Sequence, residues 1–106
     1  MIKVNVDLNK NFKVKTLKLS GHSGYDVIGK DIVCSAVSTA MYVSVGLLEK
    51  AGCNFDFKEH PNSVKMQLSI NKSDQLTDLV LDNLVETLEG IEIQYPDNLK
   101  IVKIGG

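Results

Sequence analysis

The chain has 106 residues, 43% apolar and 24% charged, which fits one globular domain (1–106) with one modest hydrophobic core. Its twelve basic and thirteen acidic side chains leave a formal net charge of -1, which argues against a direct nucleic-acid partner, although a basic patch can sit inside a neutral total. No stretch is read as a membrane span, because the longest apolar run, 32–48, is interrupted by Ser35, Ser38, Thr39, Ser44 and Gly46 and is expected to be a buried helix.

Ile2, Val4, Val6 and Leu8 alternate with polar residues, the pattern of a strand with one buried face. The same alternation differs from the continuous apolar segment of an export signal, so the expected compartment is the cytoplasm. There Cys34 and Cys53 are expected to be thiols rather than a disulfide. Asn9-Lys10-Asn11 supplies a turn, and Phe12, Val14 and Thr16 resume the alternation. Leu17 and Leu19 switch its phase, which predicts a bulge near Thr16.

Residues 20–30 break all periodicity and carry Gly21, Gly24 and Gly29, as in an adaptable loop. Asp31 is expected to cap a helix running to about Lys50, with Gly52 as its stop signal. A short strand follows over 54–60, then a turn at Pro61-Asn62-Ser63 and a strand carrying Val64, Met66, Leu68 and Ile70. Ser73 is expected to open a second helix on Leu76, Val80, Leu84 and Leu88, ending at Gly90. Ile91, Ile93 and Tyr95 alternate as in a strand, and a last strand spans 99–104 after a Pro96-Asp97-Asn98 turn. The expected order is ββαββαββ: an α+β two-layer sandwich, its antiparallel or mixed sheet carrying two helices on one face.

The chemistry concentrates at Cys34 and His22. With Asp31 as the cap, Cys34 is the third helical residue, where the helix terminus favours a thiolate. Its unpaired N–H groups could also donate to an oxyanion. His22 lies in the glycine loop feeding that helix, within reach of the sulfur as a general base. A buried packing cysteine and a solvated histidine remain the plainer alternative, and spacing alone does not choose between them.

The run Gly21-His22 followed by Gly29-Lys30-Asp31-Ile32-Val33-Cys34-Ser35-Ala36-Val37-Ser38 resembles the signature of the ribosomal-processing cysteine protease family, Prp. Ser23 and Ser35 stand where alanine is common in the family pattern. The resemblance implies a catalytic dyad of His22 and Cys34. It also implies removal of an N-terminal extension from a ribosomal protein of the large subunit, number twenty-seven, during ribosome maturation, and a homodimer.

Around the dyad, Asp31 is a candidate to orient His22, although capping explains it as well. Ser38 lies one helical turn from Cys34 on the same side. Gly21 and Gly29 are read as supplying unusual backbone conformations. Tyr25, Val27 and Ile28 are candidates for lining a substrate pocket. Cys53 and His60 match no common zinc spacing, so no metal or other cofactor is expected. Asp74, Asp78, Asp82, Glu86 and Glu89 read as the solvated face of the second helix. Two other functions use the same features: a non-enzymatic ribosome-associated binding module, for which the strand lysines (Lys3, Lys13, Lys15, Lys65) look scattered, and a thiol transferase or redox sensor built on Cys34.

Overall fold

A computed structural model describes residues 1–21, 28–60 and 64–106. The elements run β1 (Ile2–Leu8), β2 (Val14–Gly21), α1 (Ile28–Lys50), β3 (Phe55–Glu59), β4 (Val64–Ile70), α2 (Gln75–Gln94) and β5 (Leu99–Gly105). The strands form one mixed sheet in the order β3-β4-β2-β1-β5, with β1 and β5 parallel and the other pairs antiparallel. The α+β two-layer architecture is the expected one, with five strands among the described residues where six were expected.

The β1–β2 hairpin is organised by Asn9. Its Oδ1 accepts from the backbone N–H groups of Asn11 (2.8 Å) and Lys13 (3.1 Å), and its own N–H donates to the Lys13 carbonyl (2.8 Å). Phe12 belongs to this turn rather than to the strand: its φ is 60° and its ring is exposed. The predicted bulge is present. Asp7 opposes Thr16 while Leu8 opposes Val14, which leaves Lys15 as the extra residue. That insertion lets Val14 and Leu17, three apart, both be buried.

Both helices are crossovers between parallel strands. α1 leads from β2 over β4 to the edge strand β3, and α2 leads from β4 over β2 and β1 to the other edge, β5. The two crossovers start from antiparallel strands and run in opposite directions, so the common right-handed connection puts both helices on the same face. There Val33, Val37, Met41, Ser44 and Leu48 of α1 join Leu81, Leu84, Val85 and Leu88 of α2. They close over Ile2, Val4, Val6, Leu17, Leu19, Met66, Leu68 and Leu99. Over Ile32–Lys50, α1 reaches a mean hydropathy of 1.6 and the length of a spanning segment, contrary to the expectation that no stretch would. Of that window 28% is buried in this core.

Three helix ends depart from expectation. α1 starts at Ile28, so Asp31 is its fourth residue and not its cap. Its other end follows Gly52 as expected. Gly52 has φ 71°, and the N–H groups of Gly52 and Cys53 donate to the carbonyls of Glu49 (3.1 Å) and Leu48 (3.0 Å), a Schellman closure. α2 is capped by Asp74 rather than Ser73: the Thr77 N–H donates to Asp74 Oδ1 at 2.7 Å, while the Ser73 hydroxyl donates to Asp78. α2 also passes through Gly90 to Gln94, so 91–95 is not a strand. Leu84, Leu88, Ile91 and Tyr95 continue one helical stripe packed on the core, and that burial overrides both the glycine and the local alternation.

Candidate active site

β2, the central strand, ends at Gly21, which pairs with Val64 of β4. Six residues, 22–27, separate it from the start of α1. His22, Tyr25 and Val27 fall in this segment, outside the described residues, and the side chains of Ile28 and Asp31 do as well. The strand end itself borders a shallow cavity of about 200 Å³ lined by Met1, Lys3, Ser20 and Gly21.

Gly21 does not have a positive φ, contrary to the expectation of an unusual backbone. Its need is for space: a Cβ there would sit 3.0 Å from Ile2 Cγ1 in the core. A side chain there would require the Ile2 side chain to give by a few tenths of an ångström. Gly29 is the second residue of α1 and takes a helical backbone, so the special conformation expected of it is absent as well.

Cys34 is a free, half-buried thiol that packs partly against the core. The sulfur is therefore neither sealed in the interior nor on the fully exposed face of α1. Because α1 begins at Ile28, Cys34 is its seventh residue rather than its third. The helix terminus acts mainly through its first turn, and Cys34 lies beyond it, contrary to the expected third position. Within the helix the N–H groups that an α-helix leaves unpaired belong to residues 28–30, about a turn before the sulfur. Ser38, one turn beyond Cys34, is likewise half-buried on the same flank.

The second Cys–His pair separates cleanly. Cys53 is half-buried at the C-terminal closure of α1, whereas His60 is exposed, with its N–H donating to the Lys65 carbonyl at 3.0 Å across the β3–β4 connection. Among the described residues, no group of three or more His, Cys, Asp or Glu is arranged to hold a metal ion. Sequence reasoning missed a tie between α1 and β3: the Tyr42 hydroxyl donates to the Glu59 carboxylate. That bond raises the Tyr42 pKa, and the ring stands edge-on to Phe57 with centroids 6.4 Å apart.

The chain is 26% identical to the ribosomal processing cysteine protease Prp of Staphylococcus aureus, an alignment spanning 95% of this chain and 97% of that protein. Crystal structures of S. aureus Prp are similar in fold. One, in complex with a substrate peptide, superposes with a TM-score of 0.91 at 23% identity, covering 98% of this chain and all of that one. Another, with a covalently linked product peptide, gives 0.87 at 24% identity over the same shares. A protein from Streptococcus mutans gives 0.87 at 25% identity, covering 98% of this chain and 94% of that one. The sequence model of the family described as Cysteine protease Prp matches residues 1–100, and with a free, half-buried cysteine in the second turn of the helix that follows the central strand, the chain belongs to that family of cysteine proteases.

Proposed function

We propose that the chain is a cytoplasmic ribosome-maturation protease that removes the N-terminal extension of the large-subunit ribosomal protein number twenty-seven, using Cys34 as nucleophile and His22 as general base. The observation that carries this reading is the accessible Cys34 thiol on α1, joined by one short connection to a strand that ends immediately before His22. A relative described as ribosomal processing supports the substrate class, and the covalently linked product peptide of S. aureus Prp fits acyl-enzyme chemistry.

In this mechanism His22 takes the Cys34 proton and the sulfur attacks the scissile carbonyl, forming a tetrahedral intermediate. Unpaired N–H groups of the first turn of α1 are the nearest backbone donors for its oxyanion. His22 then gives the proton to the leaving amine, and the thioester remains. Water, deprotonated by His22, hydrolyses the thioester and restores the thiol. Since Cys34 lies beyond the first turn, thiolate formation rests on the imidazole more than on the helix. Asp31 is then a positioning candidate for His22, and Tyr25, Val27 and Ile28 are candidate pocket residues.

The working form is a homodimer. Ile32, Val43 and Leu47 leave 51%, 57% and 50% of their surfaces exposed on one side of α1, the apolar face that a second copy would cover.

The test is cleavage of a peptide carrying the extension and its junction. Cys34→Ala and His22→Ala should each lower kcat by about 10³-fold or more while the thermal transition stays within a few degrees of wild type. Wild-type cleavage by either variant would end the dyad assignment, and failure of the wild-type protein to cut the junction would end the substrate assignment.

A further inference from the structure

The sheet face opposite the helices gathers lysines that are dispersed along the sequence. Strand register places Lys65, Ser20, Lys3 and Lys100 side by side across β4, β2, β1 and β5. The next row on this face runs Lys58, Gln67, Lys18, Asn5 and Val102 across all five strands. The residues between the rows, such as Leu19 and Met66, point into the core, so both rows face away from it. The rows lie about 7 Å apart and neighbouring strands about 4.8 Å apart.

All five lysines are exposed. Neither row contains a carboxylate; Asp7 and Asp56 enter only in the third row. Among the described residues the ion pairs are Lys13–Asp82 and Lys103–Glu89, which tie the sheet to α2 and involve none of the five. Between the rows lies a cavity of about 140 Å³ whose lining includes Lys18, Lys58, Lys65, Ser20, Gln67 and His60. It offers cations with neutral hydrogen-bonding groups between them. The opposite layer has the opposite sign: α2 carries Asp78, Asp82, Glu86, Glu89 and Glu92 and no basic residue. The net charge of -1 therefore hides two faces of opposite sign.

We propose that this open sheet face docks the protein on the phosphodiester backbone of RNA, in a sequence-independent manner. Five exposed lysines over a patch of this size match a partner with closely spaced, fixed negative charges. An anionic membrane is disfavoured because the two rows carry only Val102 as an apolar residue, which leaves nothing to insert between lipids. With no aromatic side chain in either row, bases are not read by stacking, and affinity comes from phosphates alone. The acidic helical layer turns the rest of the molecule, α1 and Cys34 included, away from the polyanion. The polyanion contact rests on the fold; the choice of RNA rests on the proposed ribosomal substrate, which would be met beside RNA.

The experiment is fluorescence-anisotropy titration of a labelled RNA hairpin at several salt concentrations, with polyglutamate and anionic phospholipid vesicles as competitors. Wild-type protein should bind in the micromolar range at about 50 mM salt, with affinity falling steeply as salt rises. The triple variant Lys18→Gln/Lys58→Gln/Lys65→Gln should bind at least about tenfold more weakly and flatten the log–log salt slope by two to three. A charge-matched control, Lys10→Gln/Lys50→Gln/Lys72→Gln, should keep the wild-type slope. Both variants should cut a short junction peptide at the wild-type rate, so a failed protease assignment and a failed docking assignment give different results. Absence of salt-dependent RNA binding, equal loss in the two triple variants, or competition by polyglutamate or vesicles as effective as by unlabelled RNA would each overturn the proposal.

Discussion

At the residue scale, Asp74 shows how one side chain sets a boundary that its neighbour was expected to set. Its carboxylate accepts the Thr77 N–H, and that bond holds its pKa below the ordinary carboxylate range. A group whose folded-state pKa is depressed contributes stability above its unfolded value and loses it as pH falls through the folded value. Asp74→Ala should therefore lower Tm by roughly 5 °C at neutral pH. The difference from wild type should shrink from about pH 4 downward and vanish once the carboxyl is protonated in both states. Thermal scans of both proteins between pH 2 and 7 check this, and a pH-independent difference would mean that the cap acts through something other than its charge. Cys34 makes a complementary point. Its identity was legible, but its place in the helix depends on where α1 begins: a start four residues earlier than expected carries Cys34 beyond the first turn, which is why the proposed mechanism leans on His22 rather than on the helix end.

At the element scale, the bulge at Lys15 keeps β2 in phase with the core on both sides of it. Val14, now 3% exposed, lies on the core side of the sheet because of that extra residue, and Val14→Ala tests what its burial contributes. The loss of its burial should cost about 2 kcal/mol, or roughly 10 °C in Tm. Chemical denaturation with an unchanged m-value would show that the fold survived and only its stability fell. A Val14→Ala variant as stable as wild type would mean that the core gains nothing from Val14 on that side of the bulge. The end of α2 carries the same lesson in reverse. Residues 91–95 alternate like a strand, yet Ile91 and Tyr95 extend the stripe begun by Leu84 and Leu88, and the Tyr95 N–H closes the helix on the Ile91 carbonyl at 2.9 Å. Within the same extension Glu92 accepts the Ile101 N–H of edge strand β5 at 2.8 Å, a bond that a strand at 91–95 would not make in this way.

At the scale of the whole molecule, the apolar face of α1 left outside the core is what the proposed dimer would bury. Val43→Lys/Leu47→Lys should convert a dimer to a monomer in sedimentation equilibrium, with little change in the protomer's own packing because both side chains are about half exposed. A wild-type protein that sediments as a monomer at tens of micromolar would remove the dimer from the account. The small residues of α1 divide between two duties. Ser44 is buried, its hydroxyl donating to the Ala40 carbonyl at 2.9 Å, and Ala40 packs on the core, so these two serve the intramolecular contact rather than a partner.

By itself the sequence determined the two-layer class, four of the five strands' identities as alternating runs, the Gly52 stop, the bulge and the family-bearing run from Gly21 to Ser38. Each is written in residues close together along the chain, where period and turn chemistry act. The tertiary structure alone decided the parallel pairing of β5 with β1 and the continuation of α2 past Gly90, because burial against distant elements outweighs local preference, and it set the start of α1 at Ile28. It also decided where the charges go: Lys3, Lys18, Lys58, Lys65 and Lys100 span almost the whole chain, and only strand register, a property of pairing partners far apart in sequence, brings them onto one face.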